Sequence, residues 1–173
     1  VVGPFNELAY AAAQAVIKNL GVAYNPFFIY GSTGHGKTHM IQAIGNAVKS
    51  SYPDKKILYF NSEKFINDYV TSVQANKVPQ FKDKYRKYDM LIMDDIQFLS
   101  GKEKTQEELF HLFNIMKDSN KHIVFSCDKH PNFVTGLEDR LKSRFAAGMV
   151  IDIPPPDQES RVAIIKKKCS SIN

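Results

Sequence analysis

Residues 27–38 read Phe27-Phe28-Ile29-Tyr30-Gly31-Ser32-Thr33-Gly34-His35-Gly36-Lys37-Thr38. The first four form a short apolar run, too brief for a helix and rich in β-formers. The next eight fit G-x-x-x-x-G-K-[ST], and a helical stretch follows from Lys37 to about Ser50. Strand, glycine-rich loop and helix form the context in which this pattern binds phosphate. Gly34 and Gly36 allow backbone conformations closed to other residues, so that successive N–H groups turn inward around an anion. The helix start adds its positive dipole end. Lys37 is the type of residue that reaches β- and γ-phosphates, and Thr38 offers a hydroxyl to Mg²⁺. His35 occupies a variable position and reads as a spacer rather than a base.

Outward from this stretch the chain alternates. A helix is expected over Asn6 to Leu20, stopping at Gly21, and a turn at Asn25-Pro26 precedes the first strand. Beyond the loop, Ile57–Phe60, Met90–Met93, Ile123–Phe125 and Met149–Ile151 read as strands. Between them Glu63 to Val70 reads as a helix, and Asp157 to Cys169 closes the chain as another. Thr105 with Glu108 suggests a capping box, followed by an apolar stripe at Leu109, Leu112, Phe113 and Met116. Continuous apolar strands imply burial on both faces, and strands alternating with helices imply right-handed crossovers. The fold class is therefore α/β, three-layered, with a five-stranded, mainly parallel sheet.

A phosphate loop calls for an acidic residue at the end of a neighbouring strand, where ligands of open α/β sheets sit. Met90-Leu91-Ile92-Met93-Asp94-Asp95 supplies two. Asp94 is the candidate Mg²⁺ ligand, and Asp95 the candidate base for the water that attacks a γ-phosphate. Burying adjacent carboxylates is costly without a cation, which argues against an ordinary solvated turn.

The composition narrows the class. The chain has 173 residues, 43% of them hydrophobic and 24% charged, an ordinary globular balance for one domain or part of one. No apolar run approaches the roughly 18 to 20 residues that span a bilayer. Two cysteines, Cys127 and Cys169, make no disulfide framework, and no signal peptide is evident, so a cytoplasmic location is expected. Val1 in place of methionine suggests a chain cut from a longer one. The five histidines have no close metal-ligand spacing, so zinc is not expected. The net charge is +5, with basic residues gathered over Lys77 to Lys87 and Lys166 to Lys168, a balance suited to a polyanion.

Four further strings name a family. They are Tyr24-Asn25-Pro26 before the loop with Thr38-His39 after it, Asp94-Asp95-Ile96-Gln97-Phe98-Leu99, Ser126-Cys127-Asp128, and Glu138-Asp139-Arg140-Leu141-Lys142-Ser143-Arg144-Phe145. With them the chain resembles the AAA+ ATPases, and among these the bacterial replication initiators. The resemblance implies that residues 1–173 form the nucleotide-binding core of an ATP-dependent initiator. It implies ATP or ADP held by Gly31, Gly34, His35, Gly36, Lys37, Thr38 and His39, with Mg²⁺ on Thr38 and Asp94, and slow hydrolysis in the assembly, weak in this segment alone.

It implies further that Asp128 is the first sensor and that Arg144 is an arginine finger reaching ATP on a neighbouring subunit. Arg140 matches a basic residue used in assembly. Val70, near an inserted helical hairpin, with Lys102 and Lys104 after the acidic strand, would contact single-stranded origin DNA, and Val1-Val2-Gly3 would lie against adenine. A helical lid with a second sensor arginine and a duplex-DNA domain are expected after residue 173. A replicative helicase or its loader is an expected partner through parts outside this chain. A helicase loader or regulatory paralogue of the same superfamily is the alternative. A small-molecule P-loop kinase fits less well, because the arginine string has no use there.

Overall fold

A computed structural model describes residues 1–170. Its helices are α1 (Glu7–Lys18), α2 (Lys37–Ser51), α3 (Ser62–Gln74), α4 (Val78–Arg86), α5 (Glu103–Asp118), α6 (Asp139–Ala146) and α7 (Gln158–Ser170). Its strands are β1 (Phe27–Tyr30), β2 (Ile57–Asn61), β3 (Met90–Asp94), β4 (His122–Cys127) and β5 (Met149–Asp152). Short 3-10 turns follow β3 (Ile96–Leu99) and β4 (Pro131–Phe133). The strand order is β2-β3-β4-β1-β5, and every pairing is parallel. No helix is long and apolar enough to cross a membrane among the described residues.

Side chains along a strand alternate faces, and here both faces are covered. Phe27 and Ile29 of β1, Met90 and Ile92 of β3, and Val124 of β4 join α1 and α2 in one core. Phe28, Leu91, Met93, Ile123, Phe125 and Cys127 join the opposite core, with α3, α4, α5 and α6. This is the expected three-layer sandwich. Gly45 lets α2 lie close on the sheet, since a Cβ there would stand 2.7 Å from Ile92 Cδ1. The edge strand β2 departs from the expectation of two buried faces. Its Tyr59 is 40% exposed, because nothing pairs with the outer edge of β2 among the described residues.

Three other expectations need correction. The helix placed at a Thr105 capping box begins at Glu103, and Lys102 caps it without a side-chain hydrogen bond. Thr105 and Glu108 lie inside the helix and are buried, and Glu108 meets Lys82 of α4 at 3.4 Å. The helix from Glu63 extends to Gln74, and α4 follows it, a helix that no residue pattern marked, although the family resemblance implies a helical hairpin in this region. Only Phe81 and Tyr85 of α4 are buried, so its apolar stripe is two residues long and sits among lysines.

That helix also changes the meaning of the basic run 77–87. Lys84 Nζ meets Asp68 Oδ2 of α3 at 2.5 Å, and the Tyr85 hydroxyl donates to the same oxygen at 2.8 Å. Burial works to raise the Asp68 pKa, but these partners outweigh it and leave the group below its ordinary value. With Lys82 on Glu108 and Arg86 3.7 Å from Asp83, three of the five cations face carboxylates. Two of these pairs, Lys84–Asp68 and Lys82–Glu108, join α4 to α3 and to α5, while Arg86–Asp83 lies within α4.

One buried ionisable group carries a pH dependence. His122 opens β4 with no exposed surface. Its Nδ1 accepts from Gly21 N–H at 3.0 Å, so the ring proton lies on Nε2, which makes no hydrogen bond of normal geometry among the described residues, although the Tyr24 backbone works against the effect of burial. Burial lowers its pKa from 6.5 to about 4. The unfolded chain therefore takes up a proton near pH 6.5 that the fold resists. The contribution is fully present above pH 6.5 and is lost as pH falls through about 4. The loss is on the order of 3 kcal/mol. Urea unfolding between pH 7 and pH 4 should lose stability more steeply in the wild type than in His122→Asn; parallel pH dependences would refute the assignment.

Candidate functional site

The loop after β1 is held open by its glycines. Gly34 and Gly36 have φ of 85° and 91°, in the left-handed region that side chains disfavour. Gly36 caps α2, whose first residue is Lys37. At the near side of the loop, His35 Nδ1 lies 2.9 Å from the carbonyl of Ile153, just past β5. His35 is therefore an anchor between the loop and the fifth strand, in keeping with a spacer and not a base. Lys37 is mostly buried, and its ammonium donates to Ser32 O at 3.1 Å, back across its own loop. Thr38 and His39 are exposed on the first turn of α2. An open cleft of about 410 Å³ lies alongside, lined by Tyr30, Ser32, His35, Asp128, His130 and Phe133 among others.

Asp94 ends β3 and is 3% exposed. Its Oδ2 accepts the Thr38 hydroxyl at 2.8 Å and the Tyr59 hydroxyl at 2.7 Å. Its Oδ1 accepts the Ser126 hydroxyl and the Asp95 N–H, the latter at 3.1 Å. Four donors fill the acceptor sites of the carboxylate. Burial, then the hydrogen bond to Asp94, pushes the Tyr59 phenol up to about 12. The expectation that a buried pair of carboxylates demands a cation is thus corrected. Only Asp94 is buried, and hydroxyls and an amide offset the cost of its desolvation.

Asp95 turns away because its backbone is left-handed, with φ of 59°. Its Oδ1 accepts from Gln97 Nε2 at 3.0 Å, and Gln97 Oε1 accepts the Asp128 N–H at 3.3 Å. One amide side chain thereby links the acidic strand end to the end of β4. Cys127, next to Asp128, is fully buried, and burial raises its thiol to about 11, which leaves it chemically quiet; Cys169 is exposed. No group of His, Cys, Asp and Glu suited to a metal ion occurs among the described residues.

The structure therefore brings Lys37, Thr38, Asp94, Asp95 and Asp128 together at the carboxyl ends of β1, β3 and β4. Arg140 and Arg144 lie elsewhere, on α6. The two arginines differ in their partners. Arg140 pairs with Glu138 at 2.5 Å, whereas Arg144 has a neutral partner, Asn114, at 3.1 Å. Val70 is 45% exposed on α3. Lys102 and Lys104 are exposed at the start of α5. The first residues are tied by Asn6, which takes Gly3 N–H at 2.9 Å and donates to Val1 O at 3.1 Å, while the Val2 backbone makes no hydrogen bond among the described residues. Tyr59, Gln97, Ser126, Phe110 and Asn114 were assigned no role from sequence. They act through partners far along the chain, so no spacing could have marked them.

A family model for the bacterial DnaA ATPase domain matches residues 1–152. The chain belongs to the bacterial DnaA ATPase-domain family. It is 52% identical over 168 residues to a chromosomal replication initiator protein DnaA of Citrifermentans bemidjiense, covering 97% of this chain and 37% of that protein. It matches domain III of the Thermotoga maritima replication initiation protein DnaA with a TM-score of 0.94 and 49% identity, over 96% of this chain and 70% of that one. It also matches a replication initiator DnaA bound to AMPPCP and single-stranded DNA, at a TM-score of 0.91 and 41% identity, over 99% of this chain and 53% of that one. The chain thus spans little more than a third of the length of the first of these DnaA relatives. The α/β architecture is the AAA+ fold of these DnaA domains.

The Ser126 hydroxyl is the keystone of the carboxylate cage, donating to Asp94 while accepting Asp95 N–H at 3.0 Å. Ser126→Ala removes one of the two partners that Asp94 Oδ1 and the Asp95 N–H each have, leaving them only one another. Stability measured by urea unfolding should fall by about 1–3 kcal/mol, and an unchanged midpoint would show that water replaces the hydroxyl freely.

Proposed function

We propose that this chain is the ATP-binding core of a chromosomal replication initiator, in which nucleotide controls assembly and assembly presents a path for single-stranded DNA. The observation that carries the reading is the 2.8 Å hydrogen bond between Thr38 and Asp94. It joins the end of the phosphate loop to the acidic end of β3, placing a hydroxyl and a carboxylate beside each other.

Both are hard oxygen donors, the set that Mg²⁺ takes while keeping several waters. They fit the ion, and Thr38 and Asp94 would hold it. When bound, Mg²⁺ supplies positive charge opposite the β- and γ-phosphates. The loop backbone and the α2 N-terminus cradle the phosphates, with Gly31, Gly34 and Gly36 keeping the approach free of side chains. Lys37, released from Ser32, delivers its ammonium to the same oxygens. His35 fixes the loop to β5, and His39 flanks the site from the first turn of α2.

Asp95 orients and deprotonates the attacking water, and Asp128 senses the γ-phosphate from β4. Val2, whose backbone makes no hydrogen bond among the described residues, is the member of the N-terminal segment suited to reading adenine. Arg144, with Arg140 beside it, faces a second copy of the chain. Val70 gives an apolar contact to the bases or sugar of a single strand, while Lys102 and Lys104 contact phosphates. A relative bound to AMPPCP and single-stranded DNA supports the pairing of these two ligands in one fold. Helicase or loader contacts, duplex-origin recognition and a cytoplasmic setting belong to the same reading.

The test separates the roles. Lys37→Ala should weaken ATP binding, measured by calorimetry, by roughly 10- to 100-fold, the loss of charge-assisted bonds to phosphate. Asp94→Asn should erase the gain in affinity that Mg²⁺ confers. Asp95→Asn should bind ATP normally but lose turnover by roughly 10²- to 10⁴-fold; normal hydrolysis in that variant overturns its role.

A further inference from the structure

Arg144 is a cation that nothing in its surroundings neutralises. Its Nε donates to Asn114 Oδ1 at 3.1 Å, and its guanidinium carbon stands 5.2 Å from the Phe110 ring centroid. Its Nη1 and Nη2 make no hydrogen bond, and it joins none of the ion pairs, among the described residues. The two acids at the start of α6 are engaged elsewhere: Glu138 with Arg140, and Asp139 with Lys142 at 3.8 Å. Neither acid is left to pair with the half-buried Arg144.

The arrangement is built from three sets of residues four apart. On α6, Leu141 and Phe145 are fully buried, Phe145 packing on Phe125 at 4.7 Å between ring centroids. They fix the roll of the helix, and Arg140 and Arg144, each one residue earlier, fall together on the side facing α5. On α5, Gln106, Phe110 and Asn114 form a polar-aromatic stripe next to the apolar one that enters the core. Buried Gln106 sets the junction. Its Nε2 donates to Leu99 O and Gly136 O, both at 2.7 Å, and its Oε1 accepts Glu138 N–H at 2.8 Å. Both arginines then share the Phe110 ring, Arg140 at 4.9 Å and Arg144 at 5.2 Å.

We infer that Phe110 and Asn114 are positioning residues, a neutral clamp that presents the uncompensated Arg144 fork to a phosphate oxygen of the nucleotide held by a second copy of this chain. The inference rests on the assembly reading of the preceding section. A carboxylate in place of Asn114 would orient the guanidinium equally well but cancel its charge. An amide oxygen and a ring face restrain the planar group while leaving its Nη edge free and charged. Arg140, already offset by Glu138, packs on the ring without competing for that phosphate.

A sign-opposed pair of variants tests this in the full-length protein, read by ATP-dependent association in sedimentation velocity, ATP affinity of the separate subunit, and melting temperature. Asn114→Ala and Phe110→Leu should each weaken association about tenfold, with subunit ATP affinity changing less than twofold. Asn114→Asp should weaken association further while keeping or raising the melting temperature, because an ion pair holds Arg144 more firmly and neutralises it. Association of Asn114→Asp at the wild-type level, with Arg144→Ala defective, overturns the clamp. Wild-type association of Arg144→Ala overturns the assembly reading itself. In the 173-residue chain, side-chain ¹⁵N spectra should show a slowly exchanging Arg144 Nε–H that Asn114→Ala removes; an unchanged signal overturns the clamp independently of assembly.

Discussion

A single carboxylate, 3% exposed, organises the centre of this molecule. Asp94 accepts hydroxyls from Thr38 of α2, Tyr59 of β2 and Ser126 of β4, so one side chain of β3 is bonded to a helix and to two other strands. An ionised group so deep is tolerated only when its acceptor sites are filled. Those bonds hold the phosphate loop, the acidic strand end and the end of β4 in mutual register. The parallel order β2-β3-β4-β1-β5 makes it possible by bringing all the carboxyl ends to one rim.

Around that centre, polar side chains with fixed donor and acceptor ends transmit position from strand to strand. Gln97 must turn its oxygen to the Asp128 N–H, and its NH₂ is then directed to the Asp95 carboxylate. Gln106 plays the same part between α5 and the start of α6. Each is a local amide acting over some thirty residues of chain separation. The charged surface follows a different rule. Most of the basic residues of α4 are consumed in packing helices together, while Arg144 keeps its charge because its neighbours are neutral.

Much of the fold was legible because its signals are local. The run Phe27–Tyr30 followed by glycine and Lys37 announces strand, loop and helix within a dozen residues, and the apolar strands 90–93 and 123–125 announce a core on both faces. The helix α4 was illegible from its own residues, since its two buried aromatics give no sustained period among Lys82, Lys84 and Arg86. The Thr105 and Glu108 pattern misled for the complementary reason. A capping box needs a helix N-terminus there, and the helix had already begun at Glu103. The burial of Thr105 against the core outweighed the local preference.

The sequence by itself determined the chemistry available to this protein: a phosphate loop, two carboxylates at a strand end, and an arginine helix. Each is a set of residue types at short, regular spacing, and backbone geometry converts such spacing directly into a loop, a strand end or a helical face. Only the tertiary structure decided which of those groups are buried, paired or free. Asp94 is caged by hydroxyls while Asp95 is turned aside, and Arg140 is neutralised while Arg144 is not. Such distinctions depend on partners brought in from other strands and helices, because the electrostatic state of a side chain is set by what stands within a few ångströms of it in space.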